Sequence, residues 1–335
     1  MMAITRRDFL KYVGLSTAVL GLSGKDLLRL GKALAATGAP TVLWLQGAAC
    51  TGCSVSFLNY IDNSTNPPTT AKDVLVKSIN LAYHPNLMAL AGQDAAQQAE
   101  AAYNAGNYIL AVEGGVPTVF GGRTCWAWTY NGVDVTFQQV VQDLGSKALY
   151  ILAIGTCASF GGIPAAPPNP TGVQSVSQIT NRSTVNLAGC PTHPDWVTWA
   201  VVQLLLGNPP GSTAFPLDSH GRPTQFFAKT VHEQCPRLNS PQAITFGVEN
   251  ACMIYLGCQG PVTYGNCPAQ LWNNQQNWCV DANARCLRCT EPTYPGQALF
   301  NYTGQGNEEH NATWIQNNRY NCRNCHSGNV AGGGD

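Results

Sequence analysis

The amino-acid sequence predicts a doubly wound α/β domain with a parallel sheet, followed by a loop-rich domain organised around metal. From residue 40 to about residue 207, short apolar runs alternate with helical patterns, as expected of parallel strands joined by crossover helices. Around residues 208–223 the composition changes to proline, glycine and polar residues. The chain beyond has little periodicity and many cysteines, which favours metal rather than a large apolar core as its organiser.

The first 35 residues are predicted to be a targeting segment. Arg6 and Arg7 stand in an RR-x-F-x-K context before a short apolar run, and "ALAA" follows as a cleavage point. The run is too short to span a membrane and fits a signal peptide, and twin arginines indicate the Tat route. We expect a mature chain in the periplasm or at the periplasmic face of the membrane. No later stretch of about 20 apolar residues predicts a transmembrane helix.

Four apolar runs are candidate strands, and three longer segments have helical periodicity. Short, continuously apolar runs are typical of strands that are buried on both faces of a sheet. The strands are predicted over residues 41–47, 107–114, 148–155 and, with a weaker pattern, 183–189. The helices are predicted over residues 86–106, 135–148 and 193–207. The predicted organisation is a signal peptide at 1–35, an α/β domain at 36–207, a metal-binding domain at 208–300 and a polar tail at 301–335.

The charge of the chain is balanced and low. Eighteen acidic and eighteen basic residues cancel, which indicates neither nucleic acid nor an anionic membrane as a partner. The charged fraction is 11%, against about 25% in ordinary soluble proteins. With 44% apolar residues and 8 tryptophans, the chain is expected to bury much of its surface against a protein partner. An uncharged monomer is the alternative.

Four cysteines follow predicted strands directly. Cys50 and Cys53 come after the run at 41–47, Cys157 after the run at 148–155 and Cys190 after the last run. The carboxyl ends of strands in an open α/β sheet face one crevice, so we expect the four thiols to converge there. Four thiolates suit a [4Fe–4S] cluster, with zinc as the main alternative metal. Cys125 follows no predicted strand and is interpreted as an ordinary buried or free thiol.

A second group of ligand-type residues lies in the C-terminal domain. One imidazole and three thiolates are supplied by His232, Cys235, Cys252 and Cys258. Enough thiols for one more four-iron cluster are supplied by Cys267, Cys279, Cys286 and Cys289. The residues themselves therefore predict a carrier of several redox centres that conducts electrons. A disulfide scaffold is the alternative use of 14 cysteines in an exported chain.

These motifs together resemble the small subunit of the [NiFe] hydrogenases. The resemblance covers the Tat leader and the chain to about residue 300, and its motifs are "CTGC", "NYILAVEG", "GTCAS", "GCPTHP", "VHEQC", "GCQGPVTYGNC" and "CLRC". It implies a flavodoxin-like N-terminal domain with a proximal cluster and a loop-rich iron-sulfur domain with medial and distal clusters. It also implies an obligate large subunit that carries the Ni–Fe site, where H₂ is split.

The resemblance also implies a ligand set for each cluster. The proximal [4Fe–4S] cluster would be held by Cys50, Cys53, Cys157 and Cys190. The distal [4Fe–4S] cluster would be held by His232, Cys235, Cys252 and Cys258. The medial cluster would be held by Cys267, Cys286 and Cys289.

Three departures from the family pattern carry predictions. Common members have a proline at the position of Cys279 and a three-iron medial centre, so Cys279 restores a fourth thiolate and predicts a medial [4Fe–4S] cluster. The alternative is a [3Fe–4S] centre with Cys279 pointing away. Gly52 and Gly162 replace the two extra cysteines of oxygen-tolerant relatives, so that route to oxygen tolerance is not available. Ala49 replaces a glutamate near the active site of many relatives, while Glu113 is retained and interpreted as a subunit-interface residue or a strand-end carboxylate.

The tail contains the one motif that the three clusters do not use. Cys322, Cys325 and His326 form C-x-x-C-H, the attachment signature of a c-type haem, with His310 as a candidate second axial ligand. So short a segment cannot enclose a haem alone. A partner cytochrome, or a symmetry mate in a dimer of heterodimers, would have to complete the pocket. A disulfide, free thiols or another metal are the alternatives.

The sequence thus predicts the electron-transfer subunit of a periplasm-facing [NiFe] hydrogenase that oxidises H₂ and passes electrons to a cytochrome or another redox acceptor. It offers no nucleophile or acid–base pair for a catalytic role in this chain. A quinone-reductase subunit of the complex I type shares the first group of cysteines but lacks those of the second domain and the Tat leader. A disulfide-stapled exported binding protein is the rival from another class, and it predicts no iron and no large partner.

Overall fold

The computed structural model describes residues 40–64, 67–75, 79–296 and 330–331. They divide into two compact units, the first ending at Pro223 and the second beginning at Thr224. The predicted signal peptide and nearly all of the predicted tail, including Cys322, Cys325, His326 and His310, lie outside the described residues.

The first unit is built on a five-stranded parallel sheet. Its strands are β1 (Thr41–Gln46), β4 (Asn80–Tyr83), β5 (Tyr108–Glu113), β8 (Tyr150–Ile154) and β9 (Val185–Leu187). They lie side by side in the order β4-β1-β5-β8-β9, and every neighbouring pair is parallel. Counted within this sheet, the order is 2-1-3-4-5, which is the flavodoxin-like topology. After β1 the chain adds β4 on one side of that strand and then β5 on the other. The point between β1 and β5 is therefore a topological switch point, and a ligand crevice is expected at the carboxyl ends of these two strands.

Helices connect the strands and cover the sheet. The helices of the first unit are α1 (Gly52–Leu58), α2 (Ala71–Asp73), α3 (Gly92–Ala105), α4 (Phe137–Lys147), α5 (Gly155–Phe160), α6 (Val176–Thr180) and α7 (Pro194–Leu205). The large apolar core contains Leu43, Leu45, Leu110 and Val112 of the two central strands together with Phe137 of α4. The central strand β5 is buried at every position, which explains its continuously apolar sequence.

The sequence-based prediction of this unit is confirmed in its central elements. All four predicted strands and all three predicted helices are present, although helix α3 begins at Gly92 rather than near residue 86. The edge strand β4 escaped prediction because its four residues have no strong apolar pattern. An antiparallel hairpin of β6 (Trp126–Tyr130) and β7 (Val133–Thr136) was also missed. Its two-residue turn, Asn131-Gly132, has positive φ at both positions, and the dipeptide Asn-Gly is a strong hairpin signal.

The second unit has little regular structure. Its helices α8 (Thr224–Phe227) and α9 (Cys267–Gln270) are single turns, and short 3₁₀ segments occur at Ile254–Leu256 and Gly260–Val262. Two-residue strands β10 (Gln242–Ala243) and β11 (Val330–Ala331) pair in parallel. A small apolar cluster includes Val231, Trp278 and Cys286, with other cysteines packed against it. The unit is therefore loop-rich, as the sequence predicts.

Two further short strands, β2 (Ile61–Asp62) and β3 (Thr69–Thr70), form an antiparallel pair in the first unit. In the described part of the chain, none of the helices has the length and apolar character needed to cross a bilayer.

Gly47, immediately after β1, offers a test of the packing between β1 and helix α4. A Cβ atom at this position would lie 2.2 Å from Cε1 of Phe137 and 2.7 Å from the carbonyl oxygen of Gly115. Since both neighbours are fixed in the core, we expect Gly47→Ala to lower the free energy of unfolding by about 1–3 kcal/mol through overpacking. Urea unfolding of the purified protein measures the change. The control Asn104→Ala, on the exposed side of α3, should stay within about 0.5 kcal/mol, and an unchanged Gly47→Ala variant would contradict the packing described here.

Candidate metal centres

Three neighbourhoods of ligand-type side chains lie in the described part of the chain. No disulfide joins any cysteine there. Within the same residues, no three His, Cys, Asp or Glu side chains are arranged to hold a single metal ion. In the described residues, the three sets are therefore neighbouring side chains and not closed coordination sites.

The first set lies at the carboxyl ends of the sheet strands. Cys50 and Cys53 follow β1 at the start of helix α1, Cys157 is in the helix that follows β8, and Cys190 follows β9. Backbone comes close to their sulfurs, because a Cβ atom at Gly155 would lie only 2.5 Å from Sγ of Cys53. The topology thus brings together the four cysteines that the sequence groups.

Electrostatics links the four thiols of this set. The pKa of the Cys157 thiol is raised to about 12, chiefly by burial and in part by the neighbouring thiols of Cys190 and Cys50. Burial also raises the pKa of Cys53, helped by the carboxylate of Glu113 and by the thiols of Cys157 and Cys190. Each thiol is therefore close enough to influence another, and in the absence of a cation the charged thiolate forms are disfavoured.

Glu113, the last residue of β5, organises this crevice. Its side chain is only 2% exposed. Its Oε1 accepts from the backbone N–H of Cys53 at 3.0 Å, and its Oε2 accepts from the backbone N–H of Ser54 at 3.2 Å and from the Ser54 hydroxyl at 2.5 Å. Nε1 of Trp44 and Nε2 of Gln46 also donate to Oε2, at 3.2 and 3.0 Å. Five donors surround two oxygens, a pattern that an acceptor-only carboxylate satisfies.

A buried histidine extends this network. Nε2 of His84 lies 3.2 Å from the Ser54 hydroxyl, and the backbone N–H of Asn86 donates to Nδ1 of His84 at 3.2 Å. Because Nδ1 accepts a hydrogen bond, the neutral ring carries its proton on Nε2 and donates it to Ser54. Burial lowers the pKa of His84 to about 4, although Glu113 opposes that shift. The imidazole is therefore neutral at physiological pH.

The second set surrounds a turn at the start of the loop-rich unit. His232 and Cys235 lie in one turn, in which the Cys235 N–H donates to the His232 carbonyl at 3.1 Å. A Cβ atom at Gly260 would lie 3.5 Å from Cβ of His232 and 3.6 Å from Sγ of Cys258, so these two side chains flank the same glycine. Burial raises the pKa of Cys235 to about 11, with further contributions from the thiols of Cys258 and Cys252.

A buried arginine accompanies the second set. Arg237 is 7% exposed, and its backbone N–H donates to the sulfur of Cys235 at 3.4 Å. Its guanidinium donates to the carbonyl of Ala251 at 3.3 Å and to Oδ1 of Asn283 at 3.3 and 3.4 Å. It opposes the rise in the pKa of Cys252 that burial causes. The second set thus has a cation beside it, whereas the first set has the carboxylate of Glu113.

The third set consists of the remaining cysteines of the unit. The pKa of Cys267 is raised to about 12, chiefly by burial and also by the thiols of Cys286 and Cys279, while a hydrogen bond from the Trp272 side chain opposes the rise. The pKa of Cys286 is raised by burial, by Cys258 of the second set and then by Cys289. Cys279 is exposed to solvent, but its thiol is near enough to raise the pKa of Cys267. The second and third sets therefore adjoin each other through Cys258 and Cys286.

Iron-sulfur clusters can be tested against these surroundings, because their sulfurs accept hydrogen bonds. Three buried donor groups without a partner in the described residues lie close in sequence to the sets, namely the Thr192 hydroxyl, Nε1 of Trp278 and Nε of Arg288. Thr192 is two residues after Cys190 and is fully buried. Thiolate ligands, close backbone approach and unused donors are what a sulfur-rich cluster requires, so these residues fit such groups.

The other predicted residues are distributed as follows. Cys125 is partly buried against the large apolar core of the first unit and does not belong to any of the three sets. Gly52 and Gly162 lie against thiols: a Cβ atom would be 3.0 Å from Sγ of Cys50 and 2.9 Å from Sγ of Cys157, respectively. Ala49 precedes Cys50 and is exposed. The sequence did not predict the roles of His84 and Arg237. For Arg237 the segment "HEQCPR" does indicate a cation close to Cys235, whereas no comparable pattern points to His84.

Two family models match the chain. The model for the NADH ubiquinone oxidoreductase 20 kDa subunit matches residues 50–204, which lie in the flavodoxin-like unit. The model for the C-terminal domain of the NiFe/NiFeSe hydrogenase small subunit matches residues 227–301. The first match explains why a complex I-type subunit shares the first set of cysteines, and the second match separates this chain from such subunits.

Curated relatives and a solved structure agree with the second model. The chain is 40% identical to the periplasmic [NiFeSe] hydrogenase small subunit of Desulfomicrobium baculatum, over 89% of this chain and 99% of that relative. It is 37% identical to the periplasmic [NiFe] hydrogenase small subunit of Solidesulfovibrio fructosivorans, over 87% of this chain and 90% of that relative. A structure of the [NiFeSe] hydrogenase of Desulfovibrio vulgaris Hildenborough superposes with a TM-score of 0.72 at 37% identity, covering 78% of this chain and 96% of that one. The chain therefore belongs to the family of [NiFe] and [NiFeSe] hydrogenase small subunits.

Proposed function

We propose that this chain is the electron-transfer subunit of a periplasm-facing hydrogenase that oxidises H₂. It would bind a large subunit that carries the nickel site and relay electrons through three iron-sulfur clusters to a cytochrome or another redox acceptor. The observation that carries the proposal is the presence of three neighbouring ligand sets in a member of the hydrogenase small subunit family. The Tat-like leader and the printed names of the relatives, which are periplasmic, support export to the periplasm.

The ligands follow from the three sets. Cys50, Cys53, Cys157 and Cys190 would hold the proximal cluster, and His232, Cys235, Cys252 and Cys258 the distal one. Cys267, Cys279, Cys286 and Cys289 would hold a medial [4Fe–4S] cluster. Such clusters, when bound, supply one-electron chemistry over a wide range of potentials. The work of this chain is to hold the clusters, to exclude water from them and to set the charge around them.

Burial is the means by which the chain keeps water from the ligands. Cys53, Cys252 and Cys286 are each less than one-tenth exposed. Backbone N–H groups also reach the sulfurs, since the N–H of Gly52 donates to the exposed Cys50 at 3.4 Å and the N–H of Arg237 donates to Cys235. Hydrogen bonds of this kind stabilise a thiolate and orient it toward its metal.

Glu113 has a positioning role in this function. It anchors the first turn of α1, the helix that carries Cys53, to the end of β5 through the N–H groups of Cys53 and Ser54. The carboxylate thereby fixes the distance between the first strand-end loop and the central strand. It also adds a negative charge close to the proximal ligands.

The medial cluster provides the first test of this proposal. Iron analysis of the anaerobically purified wild-type complex should find about thirteen iron atoms per heterodimer, four for each of the three clusters of this chain and one for the Ni–Fe site of the large subunit. We expect Cys279→Ala to lose about one iron and to gain the EPR signal of an oxidised three-iron centre, because three thiolates remain. Cys125→Ala is the matched control and should keep the full iron content. Full iron in Cys279→Ala would remove Cys279 from the ligands, whereas a wild type without iron would favour the disulfide-stapled binding protein and sink the whole proposal.

Glu113→Gln tests the positioning role. Both carboxylate oxygens of Glu113 accept hydrogen bonds, and glutamine replaces one of these oxygens with an N–H₂ donor. At least one buried donor therefore loses its acceptor. We expect the free energy of unfolding to fall by about 1–3 kcal/mol and the reduction potential of the proximal cluster to rise, since a negative charge is removed. Unfolding measurements and EPR-monitored redox titration report the two effects. Glu100→Gln, on helix α3, should change neither; a Glu113→Gln variant with wild-type stability and potential would refute the role.

The tail motif supports a separate proposal, a covalently bound haem that extends the electron path beyond the distal cluster. The haem would be attached through Cys322 and Cys325, with His326 as axial ligand. A peroxidase-based stain on a denaturing gel should mark the wild-type chain and not Cys325→Ala, while Cys125→Ala should stain like the wild type. If the mature wild type fails to stain in cells with working haem maturation, His232 belongs to the last redox centre of this chain.

A further inference from the structure

Two buried N–H groups of the loop-rich unit have no acceptor among the described residues. They are Nε1 of Trp278 and Nε of Arg288. Trp278 is only 3% exposed, so bulk solvent does not reach most of its ring. Native proteins rarely leave a buried donor unpaired, and such a group calls for an explanation in terms of an acceptor that binds there.

The indole of Trp278 lies among the cysteines of the medial set. Trp278 immediately precedes Cys279. It packs in the same apolar cluster as Cys286, and Cys267 is packed against that cluster. The neighbouring tryptophan, Trp272, already uses its side chain as a donor to the sulfur of Cys267. A cysteine sulfur of the medial set thus already accepts a hydrogen bond from one tryptophan of this region.

Arg288 stands between the last two medial cysteines. Its backbone has a φ of 68°, a left-handed conformation that is costly for a residue other than glycine and is often retained for function. Its backbone N–H is hydrogen-bonded to the sulfur of Cys286, and its carbonyl accepts from the N–H of Glu291 at 3.1 Å. The turn that carries Arg288 is thus fixed, and its Nε is buried in the same turn.

The chemistry of the acceptor follows from these surroundings. The carboxylate of Glu291 already accepts from the backbone N–H of Tyr264 at 2.7 Å. Trp278 packs in the same apolar cluster as Cys286 and Arg288 is joined to Cys286 through its backbone N–H, so cysteine sulfurs and, when a cluster is bound, its sulfides are the acceptors that suit these two donors. Hydrogen bonds to these sulfurs stabilise the more negative, reduced state of an iron-sulfur cluster and so raise its reduction potential.

We propose that Nε1–H of Trp278 and Nε–H of Arg288 donate hydrogen bonds to the sulfurs of the medial cluster and raise its reduction potential. This inference rests on the proposed function, since it requires a cluster at the medial set. It gives the two residues a positioning and tuning role. A fourth thiolate from Cys279 lowers the potential of the medial centre relative to a three-thiolate centre, and the two donors offset part of that decrease.

The test uses the purified complex with its large subunit. In Trp278→Phe, which keeps the aromatic ring and removes the donor, we expect the medial midpoint potential to fall while the proximal and distal potentials stay at their wild-type values. EPR-monitored redox titration measures all three. In the reduced wild type, a proton coupling that disappears in D₂O should also be visible by pulsed EPR, and it should weaken or vanish in Trp278→Phe.

Trp199→Phe is the matched control, because Trp199 is a buried tryptophan of the flavodoxin-like unit that packs on Phe215. It should leave the medial potential and the proton coupling unchanged. Arg288→Lys keeps the positive charge and removes the Nε donor, so its medial potential should also fall.

Unchanged medial potentials in both Trp278→Phe and Arg288→Lys, at full iron content, would overturn the inference. If Trp278→Phe does not retain iron, the absence of an exchangeable proton coupling in the wild type would overturn it equally. A wild-type complex without a four-iron medial centre would instead contradict the proposed function. The two failures are therefore distinguishable.

Discussion

The burial of cysteine thiols is the constraint on which the rest of this structure depends, because buried thiolates need a stabilising partner. A thiolate in an apolar setting is costly unless hydrogen bonds or a cation stabilise it, and burial raises the pKa of Cys53, Cys157 and Cys267. The chain meets this cost only in part, with backbone N–H groups and nearby donors. Metal would supply the remainder, so under the proposed function folding and cluster insertion would be coupled. The twin-arginine leader predicted from the sequence would suit such coupling, since that route accepts chains that fold before export.

The two units satisfy the constraint in different ways. In the flavodoxin-like unit, the parallel sheet brings strand ends together, and the carboxylate of Glu113 on the central strand fixes the loop that carries Cys50 and Cys53. In the loop-rich unit there is little sheet to do this, and a buried guanidinium ties the turn at Cys235 to the segment before Cys252. One set of ligands thus has an anion beside it and another has a cation. A negative neighbour lowers the reduction potential of a cluster and a positive neighbour raises it, so under the proposed function the two sets would differ in potential.

Much of this arrangement could be predicted from the sequence, for identifiable reasons. The central strands are continuously apolar because both of their faces are buried, and cysteines directly after them had to meet at one end of the sheet. The edge strand Asn80–Tyr83 could not be predicted in this way, because an edge strand needs no apolar run. Glu113 was visible at the end of a strand, but its five donors come from distant parts of the chain. The unpaired indole of Trp278 depends on how irregular loops pack, and residue periodicity carries no information about that.

Gly162 has a consequence for how this protein could change. Its φ is 55°, and a Cβ atom there would lie 2.9 Å from the sulfur of Cys157 and 3.0 Å from the backbone Cα and N of the same residue. Oxygen-tolerant relatives, by the resemblance noted for the sequence, carry a cysteine at this position. A single codon change to cysteine would strain the backbone and displace the Cys157 side chain before it gave any protection. Acquiring that trait would require the loop around residues 161–163 to be remodelled first, so a stepwise mutational path, natural or engineered, begins with backbone changes rather than with the new thiol.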